Sequence, residues 1–426
     1  MDFSQYGGLK GQSTSHYLID LVNFILFNQD LKKPQATLAI LYDFSKAFNR
    51  QDHNILVTIL SDMGTPGWLL KIVMAFLTDR KMILRYRGGT SEEANLPGGG
   101  PQGTILGLYL FLILINFAGY KPNQICQNLG EAVTMPKKKK ICRSQQKYID
   151  DMTQCEAIDL RKSAILDPNP TLPRQFHQRT GHILPPANNP IQEQVYELQK
   201  YAKDHGMKIN YDKTKQMLFN TAKTIDVLPQ VHLKDDNYVE LVDETKLLGM
   251  MITSDLKWKT NTNKLVAKAY QRVWMLRNLK RYGATEEHLV EVYFQQVRSL
   301  LEHDCPVWNA GITEQDSIVI ERVQRTAVAI IRGEVHTSYK DALIKLELET
   351  LKSRRENLCL NFAIKAYKHP KFRNWFCTNH TDINTRSEKL ALKEIKTRTR
   401  RYKRSPLPYL TTLLNKYIKN KVNVST

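Results

Sequence analysis

Tyr148-Ile149-Asp150-Asp151 sets two adjacent carboxylates behind a tyrosine and an isoleucine, and the reading of these four residues decides the fold. Consecutive residues of a strand face opposite ways, so both carboxylates reach one site only at a turn. Lys147-Tyr148-Ile149 before the pair and Met152-Thr153 after it predict a hairpin with Asp150 and Asp151 at its tip. A third carboxylate, Asp43, closes the apolar run Thr37-Leu38-Ala39-Ile40-Leu41-Tyr42, which predicts a buried strand. Between the two acidic positions lies a glycine-rich turn, Pro97-Gly98-Gly99-Gly100-Pro101-Gln102-Gly103, and residues 105–115 after it predict a buried helix. Each signal alone is weak: an Asp-Asp pair also reads as a solvated turn, as Asp235-Asp236 does, and Gly-Gly-Gly-Pro also reads as a plain loop. Together, carboxylates converging from neighbouring strands suit two divalent cations about 3.5–4 Å apart, which stabilise the attacking and leaving oxygens of an in-line displacement at phosphorus. Mg²⁺ fits such a donor set, being hard, small and usually held by one or two carboxylates plus substrate phosphates.

Residues 43–48 (Asp43-Phe44-Ser45-Lys46-Ala47-Phe48), Pro101-Gln102-Gly103 and Tyr148-Ile149-Asp150-Asp151 resemble the first, second and third palm motifs of reverse transcriptases, with the nearest likeness to the non-LTR (LINE-like) retrotransposon group. Gln5-Tyr6-Gly7-Gly8-Leu9-Lys10-Gly11, Met207-Lys208-Ile209-Asn210, Lys213-Thr214-Lys215, Leu247-Leu248-Gly249-Met250, Cys305-Pro306-Val307-Trp308 and Glu321-Arg322-Val323-Gln324-Arg325 extend the resemblance over most of the chain. It implies an RNA-directed DNA polymerase in which Asp43, Asp150 and Asp151 bind two Mg²⁺ ions, Mn²⁺ being a substitute, and Phe44 offers its backbone carbonyl. It implies that Phe48 is the aromatic gate excluding a ribose 2′-OH, that Gln102 and Gly103 support the incoming base and the template, and that Lys213 protonates the departing pyrophosphate. Leu248-Gly249 resembles the primer grip. The residues leave other readings open: Phe48 as a core aromatic, and Lys213 as a solvated lysine in a Lys-rich loop. The implied partners are an RNA template, a DNA primer, their hybrid and dNTPs. The resemblance starts within the fingers and includes no endonuclease segment, so partial fingers and no endonuclease are expected. That expectation keeps a second function open, a catalytically silent nucleic-acid-binding protein derived from a reverse transcriptase. A third is a polymerase of another kind, such as a primase or RNA-templated RNA polymerase, against which the bulk of Phe48 argues.

Composition agrees. The 426 residues carry 62 Lys+Arg against 42 Asp+Glu, a formal charge of +20, suited to a polyanionic partner. The excess clusters at residues 137–140 with Arg143 and Lys147, and again over 386–404; such runs also read as solvated faces, flexible tails or nuclear localisation signals. No secretory signal opens the chain, and residues 105–115 are too few to span a bilayer, which needs about 20. The six cysteines (126, 142, 155, 305, 359, 377) form no CxxC pair, so they read as reduced thiols without a structural metal. An intracellular protein, of nucleus or cytoplasm, not secreted and not in the membrane, is expected.

The fold class expected is α+β, a right-hand polymerase architecture with an antiparallel-sheet palm. Its parts are partial fingers (1–35), a palm (36–225) with loop insertions near 121–146 and 167–191, and a primer-grip hairpin region (226–259). A helical thumb (260–345) and a helical, basic C-terminal extension (346–426) complete it. The thumb helices are expected around 265–276, 289–301 and 318–331, and an amphipathic helix over 192–205 leads into Met207.

Overall fold

The structure is a computed structural model that describes residues 4–96, 98–116, 118, 143–148, 151–158, 182–184, 191–220, 227–229, 231–233, 238–333, 338–376 and 392–424. Asp150 of the expected acidic set, Pro97, Asp235, Asp236, the lysines at 137–140, Cys126, Cys142 and Cys377 lie outside these residues, as do most of the two expected loop insertions.

Five strands make the central sheet: β1 (Ala36–Tyr42), β2 (Arg143–Tyr148), β3 (Asp151–Ile158), β4 (Lys215–Phe219) and β5 (Glu240–Leu241), in the order β5-β4-β1-β3-β2. Every pairing is antiparallel except that of β4 with β5. The class is therefore α+β, with β1 central as its apolar run requires. Strand alternation sends Leu38, Ile40 and Tyr42 to one face and Ala39 to the other.

The first face is covered by α1 to α4 of one layer: α1 (His53–Asp62), α2 (Gly67–Leu77), α3 (Ile105–Asn116) and α4 (Gln192–Asp204), which contribute Leu56, Leu60, Val73, Leu77, Phe111, Leu114, Val195 and Leu198. The helices expected at 105–115 and 192–205 are thus present, each within about one residue at either end. The helix at Gly67–Leu77 was not foreseen, and it is unusual: Trp68 and Ile72 are exposed while Val73 and Leu77 are buried.

The opposite face packs on the helix Thr14–Asp30, through Tyr17, Leu18, Leu21 and Ile25, and on a helical region that stays in the same core as far as Leu414. That region contains Lys259–Arg281, Glu286–Val292 continued by a π-helical turn at Tyr293–Arg298, Glu314–Arg332, Leu351–Lys368 and Pro406–Val424. Glu314–Arg332 is the best delimited of them: Thr313 and Asp316 form a capping box, and Gly333, at φ 70°, closes the other end.

The Thr14–Asp30 helix is buried nearly all round, and some of its polar residues find partners inside the protein while atoms of Asp20, Asn28 and Gln29 do not. Asn23 accepts a hydrogen bond from the Tyr402 hydroxyl, and Asp30 accepts from the backbone N–H groups of Arg398 and Thr399. The described part of the second basic stretch is therefore tied down rather than a free tail, with Leu392 and Tyr402 buried and Arg404 donating to the Ile312 carbonyl. Three cysteines, Cys155, Cys305 and Cys359, are buried and free. Among the described residues no helix is long and apolar enough to cross a membrane.

Asp20 in the same helix is fully buried, and burial pushes its pKa up to about 7, against the opposing charge of Lys371 and a hydrogen bond from Trp375. Between about pH 4 and pH 7 the folded state holds a proton that the unfolded chain has released. Stability therefore falls as pH rises through that window, by at most about 4 kcal/mol. Asp20→Asn is expected to raise Tm at pH 8 and to leave it unchanged near pH 4. Equal Tm shifts at the two pH values would remove Asp20 from the pH dependence.

Candidate active site

The register of β1 and β3 ends at Tyr42 opposite Met152, so the next residues along the two chains are Asp43 and Asp151. Tyr42 and Met152 share one core, and alternation turns the two carboxylates to the opposite face of the sheet. An independent contact agrees. On that face the Tyr17 hydroxyl donates to Thr153 Oγ1 at 2.5 Å, and the Tyr17 pKa is raised by burial and further by the charge of Asp151. Tyr148 pairs with Asp151 at the end of the β2–β3 ladder, so the chain reverses there, as the hairpin reading required. Ile149 and Asp150 between them are outside the described residues.

Lys213 comes to the same place from a different segment. Its Nζ lies 3.6 Å from Asp43 Oδ2, with the lysine side chain 70% exposed and the aspartate 33%. The approach follows from β1–β4 pairing, because Leu41 stands opposite Lys215 and the turn before β4 carries Lys213 towards the end of β1. The Asp43 backbone is pinned by a hydrogen bond from Asn210 N–H to its carbonyl at 2.7 Å, and Ser45 N–H donates to the Lys208 carbonyl. These two bonds make the Phe44–Ile209 bridge and leave the Phe44 carbonyl unused by it. Two carboxylates and a main-chain carbonyl are hard oxygen donors, the type that Mg²⁺ takes. Among the described residues no group of three His, Cys, Asp or Glu side chains is placed to hold a metal ion. The third carboxylate expected, Asp150, is not one of them.

After Phe44 the chain turns through Lys46, whose φ is 52°, into a short 3-10 helix at Phe48–Arg50. The Phe48 ring is half-buried and stacks on Phe111, with centroids 4.6 Å apart and planes at 27°. The glycine-rich turn closes directly on this segment: Gly100 N–H donates to the Phe48 carbonyl at 2.7 Å and Gly99 N–H to the Gln51 carbonyl at 3.0 Å. A Cβ at Gly99 would stand 2.9 Å from Asn49 Cα, so only glycine permits the approach. Gln102 and Gly103, both exposed, follow two and three residues after Gly100, which is bonded to Phe48. Sequence reasoning missed the partner that makes this possible, Gln51, whose buried side chain packs on Gly100.

The Leu247-Leu248-Gly249-Met250 stretch forms the tip of a hairpin between Glu244–Leu247 and Met250–Thr253, with Leu247 opposite Met250. Leu248 (φ 47°) and Gly249 (φ 88°) both have positive φ, as a two-residue type I′ turn demands. A further residue near the acidic hairpin was misread from sequence. Lys147 belongs to the first basic cluster, yet its side chain is buried and donates to the Ile115 and Asn116 carbonyls at the end of the Ile105–Asn116 helix. It brings a positive charge and a donor to carbonyls of the helix's last turn, where a cation is favoured. Nothing in the local composition distinguishes that role from a solvated lysine.

Comparison with known proteins bears on this geometry. Over 335 residues, 77% of its length, the chain is 21% identical to the probable RNA-directed DNA polymerase from transposon X-element of Drosophila melanogaster. Over 309 residues, 72% of its length, it is 23% identical to the corresponding protein from transposon BS of the same organism. The chain is thus similar to transposon RNA-directed DNA polymerases over about three quarters of its length. It spans 32% and 29% of the length of those two relatives. No family model matches it. Among solved structures, apo telomerase from Candida tropicalis is similar at a TM-score of 0.38 and 10% identity, covering 87% of this chain and 52% of that one. The same telomerase in complex with a fragment of telomeric RNA gives a TM-score of 0.37 at 11% identity, covering 99% of this chain and 53% of that one.

Proposed function

We propose that this chain is an RNA-directed DNA polymerase that extends a DNA primer on an RNA template with dNTPs. The observation that carries the reading is the β1–β3 register, which makes Asp43 and Asp151 neighbours on one face with Lys213 3.6 Å from Asp43. Asp43, Asp151 and Asp150, with the Phe44 carbonyl, would hold two divalent cations, Mg²⁺ first and Mn²⁺ as a substitute. When bound, these ions neutralise charge on the attacking primer oxygen and on the departing pyrophosphate. The chain's own residues do the rest. Phe48 borders the sugar, Gln102 and Gly103 border the base and the template, and Leu248-Gly249 orients the primer end. Lys213 gives its proton to the pyrophosphate as the bond to the α-phosphorus breaks.

In this reading the sheet and its helices over 36–225 are the palm, with loop insertions near 121–146 and 167–191. Residues 1–35 belong to the fingers, 226–259 carry the primer-grip hairpin, 260–345 form the thumb and 346–426 a basic extension. The charge of +20 suits an RNA–DNA hybrid and predicts binding that weakens steeply with salt. The working compartment is the nucleus or the cytoplasm.

Primer extension on a homopolymeric RNA template with Mg²⁺ or Mn²⁺ tests the reading. Extension abolished by the Asp150→Asn/Asp151→Asn double substitution supports it; no extension by the unaltered chain, with hybrid binding intact, leaves only a nucleic-acid-binding protein. Within that assay Lys213→Ala is expected to lower kcat about a hundredfold, as for removal of a general acid, with hybrid affinity unchanged. An unaltered kcat would return Lys213 to the solvated lysines.

A further inference from the structure

His303 and Asp304 stand where the helical region meets the Leu248-Gly249 turn, and neither has a role in the reading above. The imidazole presses on the turn itself. A Cβ at Gly249 would lie 2.9 Å from His303 Nε2, so the ring occupies the space that a side chain at 249 would need. The residue before it, Leu248, is a bulky side chain held at φ 47°, a conformation that costs energy and persists where the surroundings fix it.

Asp304 stands against the ring at ion-pair distance, and Oδ2 makes no hydrogen bond there. It too has positive φ (48°), its side chain is 4% exposed, and Oδ2 lies 3.1 Å from His303 Nε2. Its other oxygen, Oδ1, accepts hydrogen bonds from the hydroxyls of Thr14 at 2.8 Å and Ser15 at 2.5 Å. The Trp308 indole N–H donates to the His303 carbonyl at 2.9 Å, which fixes the backbone as well. The hydroxyls on Oδ1 open the helix whose Tyr17 bonds Thr153 beneath Asp151. Hydrogen bonds thus run from the strand bearing Asp151 through Thr14–Asp30 to Asp304, and an ion-pair distance and a close approach continue through His303 to the turn at 248–249. Asp304 is also close enough to the acidic hairpin for its charge to act on Tyr148, whose pKa is raised by burial and then by that charge. The His303 side chain remains 42% exposed, so part of the ring is open to solvent.

We infer that His303, held by Asp304, is a positioning residue for the 3′-terminal sugar–phosphate of the primer: it sets the place of the Leu248-Gly249 turn relative to Asp43 and Asp151 and lends its open edge to the strand. The inference rests on the polymerase reading for the identity of the strand. It differs from that reading in what it asks of the protein, since binding of a recessed end is measured without chemistry.

The test uses the full chain and its His303→Ala and His303→Gln variants, with two readouts. The first is equilibrium affinity for an RNA–DNA hybrid with a recessed DNA 3′ end against the same hybrid with blunt ends. The second is KM for primer–template and, separately, for dNTP. His303→Ala is expected to lose the preference for the recessed end and to raise KM for primer–template about tenfold, the worth of one hydrogen bond to a charged group, with KM for dNTP unchanged. His303→Gln, which keeps an N–H donor and bulk under the turn, should recover most of the loss. Equal rises in both KM values would reduce His303 to a general packing residue and overturn the inference. So would an unaltered recessed-end preference in His303→Ala, or no such preference in the unaltered chain. If the unaltered chain prefers recessed ends in a His303-dependent manner but extends nothing, the inference stands and the polymerase reading falls.

Discussion

Asp43→Asn is expected to lower primer extension about a thousandfold or more while leaving hybrid affinity and Tm close to those of the unaltered chain. The substitution keeps the shape of the side chain and removes its charge. Charge stabilisation by a bound divalent ion is worth several kcal/mol in the transition state, and each 1.36 kcal/mol is a factor of about ten in rate. The fold has little reason to notice. Asp43 is a third exposed, and its backbone is secured by Asn210 and by the end of β1 rather than by the carboxylate. Its ionic contact with Lys213, a lysine that is 70% exposed, adds little stability in water. Asp151→Asn should lower extension alike, because Asp151 would hold the same ions. Activity of Asp43→Asn within tenfold of the unaltered chain would mean that no catalytic ion depends on this carboxylate. A matching loss of hybrid affinity or Tm would point instead to damage of the fold.

The parts of this site that sequence made legible are those set by local chemistry. An apolar run of six ending in Asp43 reads as a buried strand because it is too short for a typical helix, and β1 is that strand. The reversal at residues 148–151 was legible because two consecutive carboxylates have a common target only at a turn. What was not legible depends on residues distant in sequence. The stacking of Phe48 on Phe111 and the closure of Gly99 and Gly100 on Gln51 join segments 48 to 63 residues apart. Lys147 illustrates the limit: its neighbours in sequence are basic, its neighbours in space are helix carbonyls, and only the second fact assigns it. The second basic stretch is a similar case, since its Arg398 and Thr399 N–H groups are spent on Asp30 of a helix more than 360 positions earlier. His303 and Asp304 gave no sequence signal at all, because their relation to Gly249 exists only once the hairpin and the helical region are packed together.

Phe48→Ala is expected to reduce discrimination against ribonucleotides about a hundredfold, with extension on dNTPs retained. Selection against a 2′-OH works by clash rather than by attraction, so it requires a bulky ring that cannot move aside. The ring here meets that requirement, being stacked on Phe111 at 4.6 Å, with its carbonyl held by Gly100 N–H at 2.7 Å. Two further variants separate a gate from a core aromatic. Phe111→Ala leaves Phe48 in place but removes the surface it leans on, and should relax sugar selection partly, because the freed ring can tilt away. Phe48→Leu keeps apolar bulk against Phe111 while shortening the reach towards the sugar, and should fall between the unaltered chain and Phe48→Ala. Stability moves differently from selectivity across this series. Truncating a fully buried phenylalanine costs about 3–5 kcal/mol, so the half-buried ring at 48 should cost less than the fully buried one at 111. A gate therefore predicts that the less destabilising substitution has the larger effect on sugar choice. If ribonucleotide use instead tracks the loss of Tm through the three variants, or does not change at all, Phe48 is a core residue and discrimination resides elsewhere.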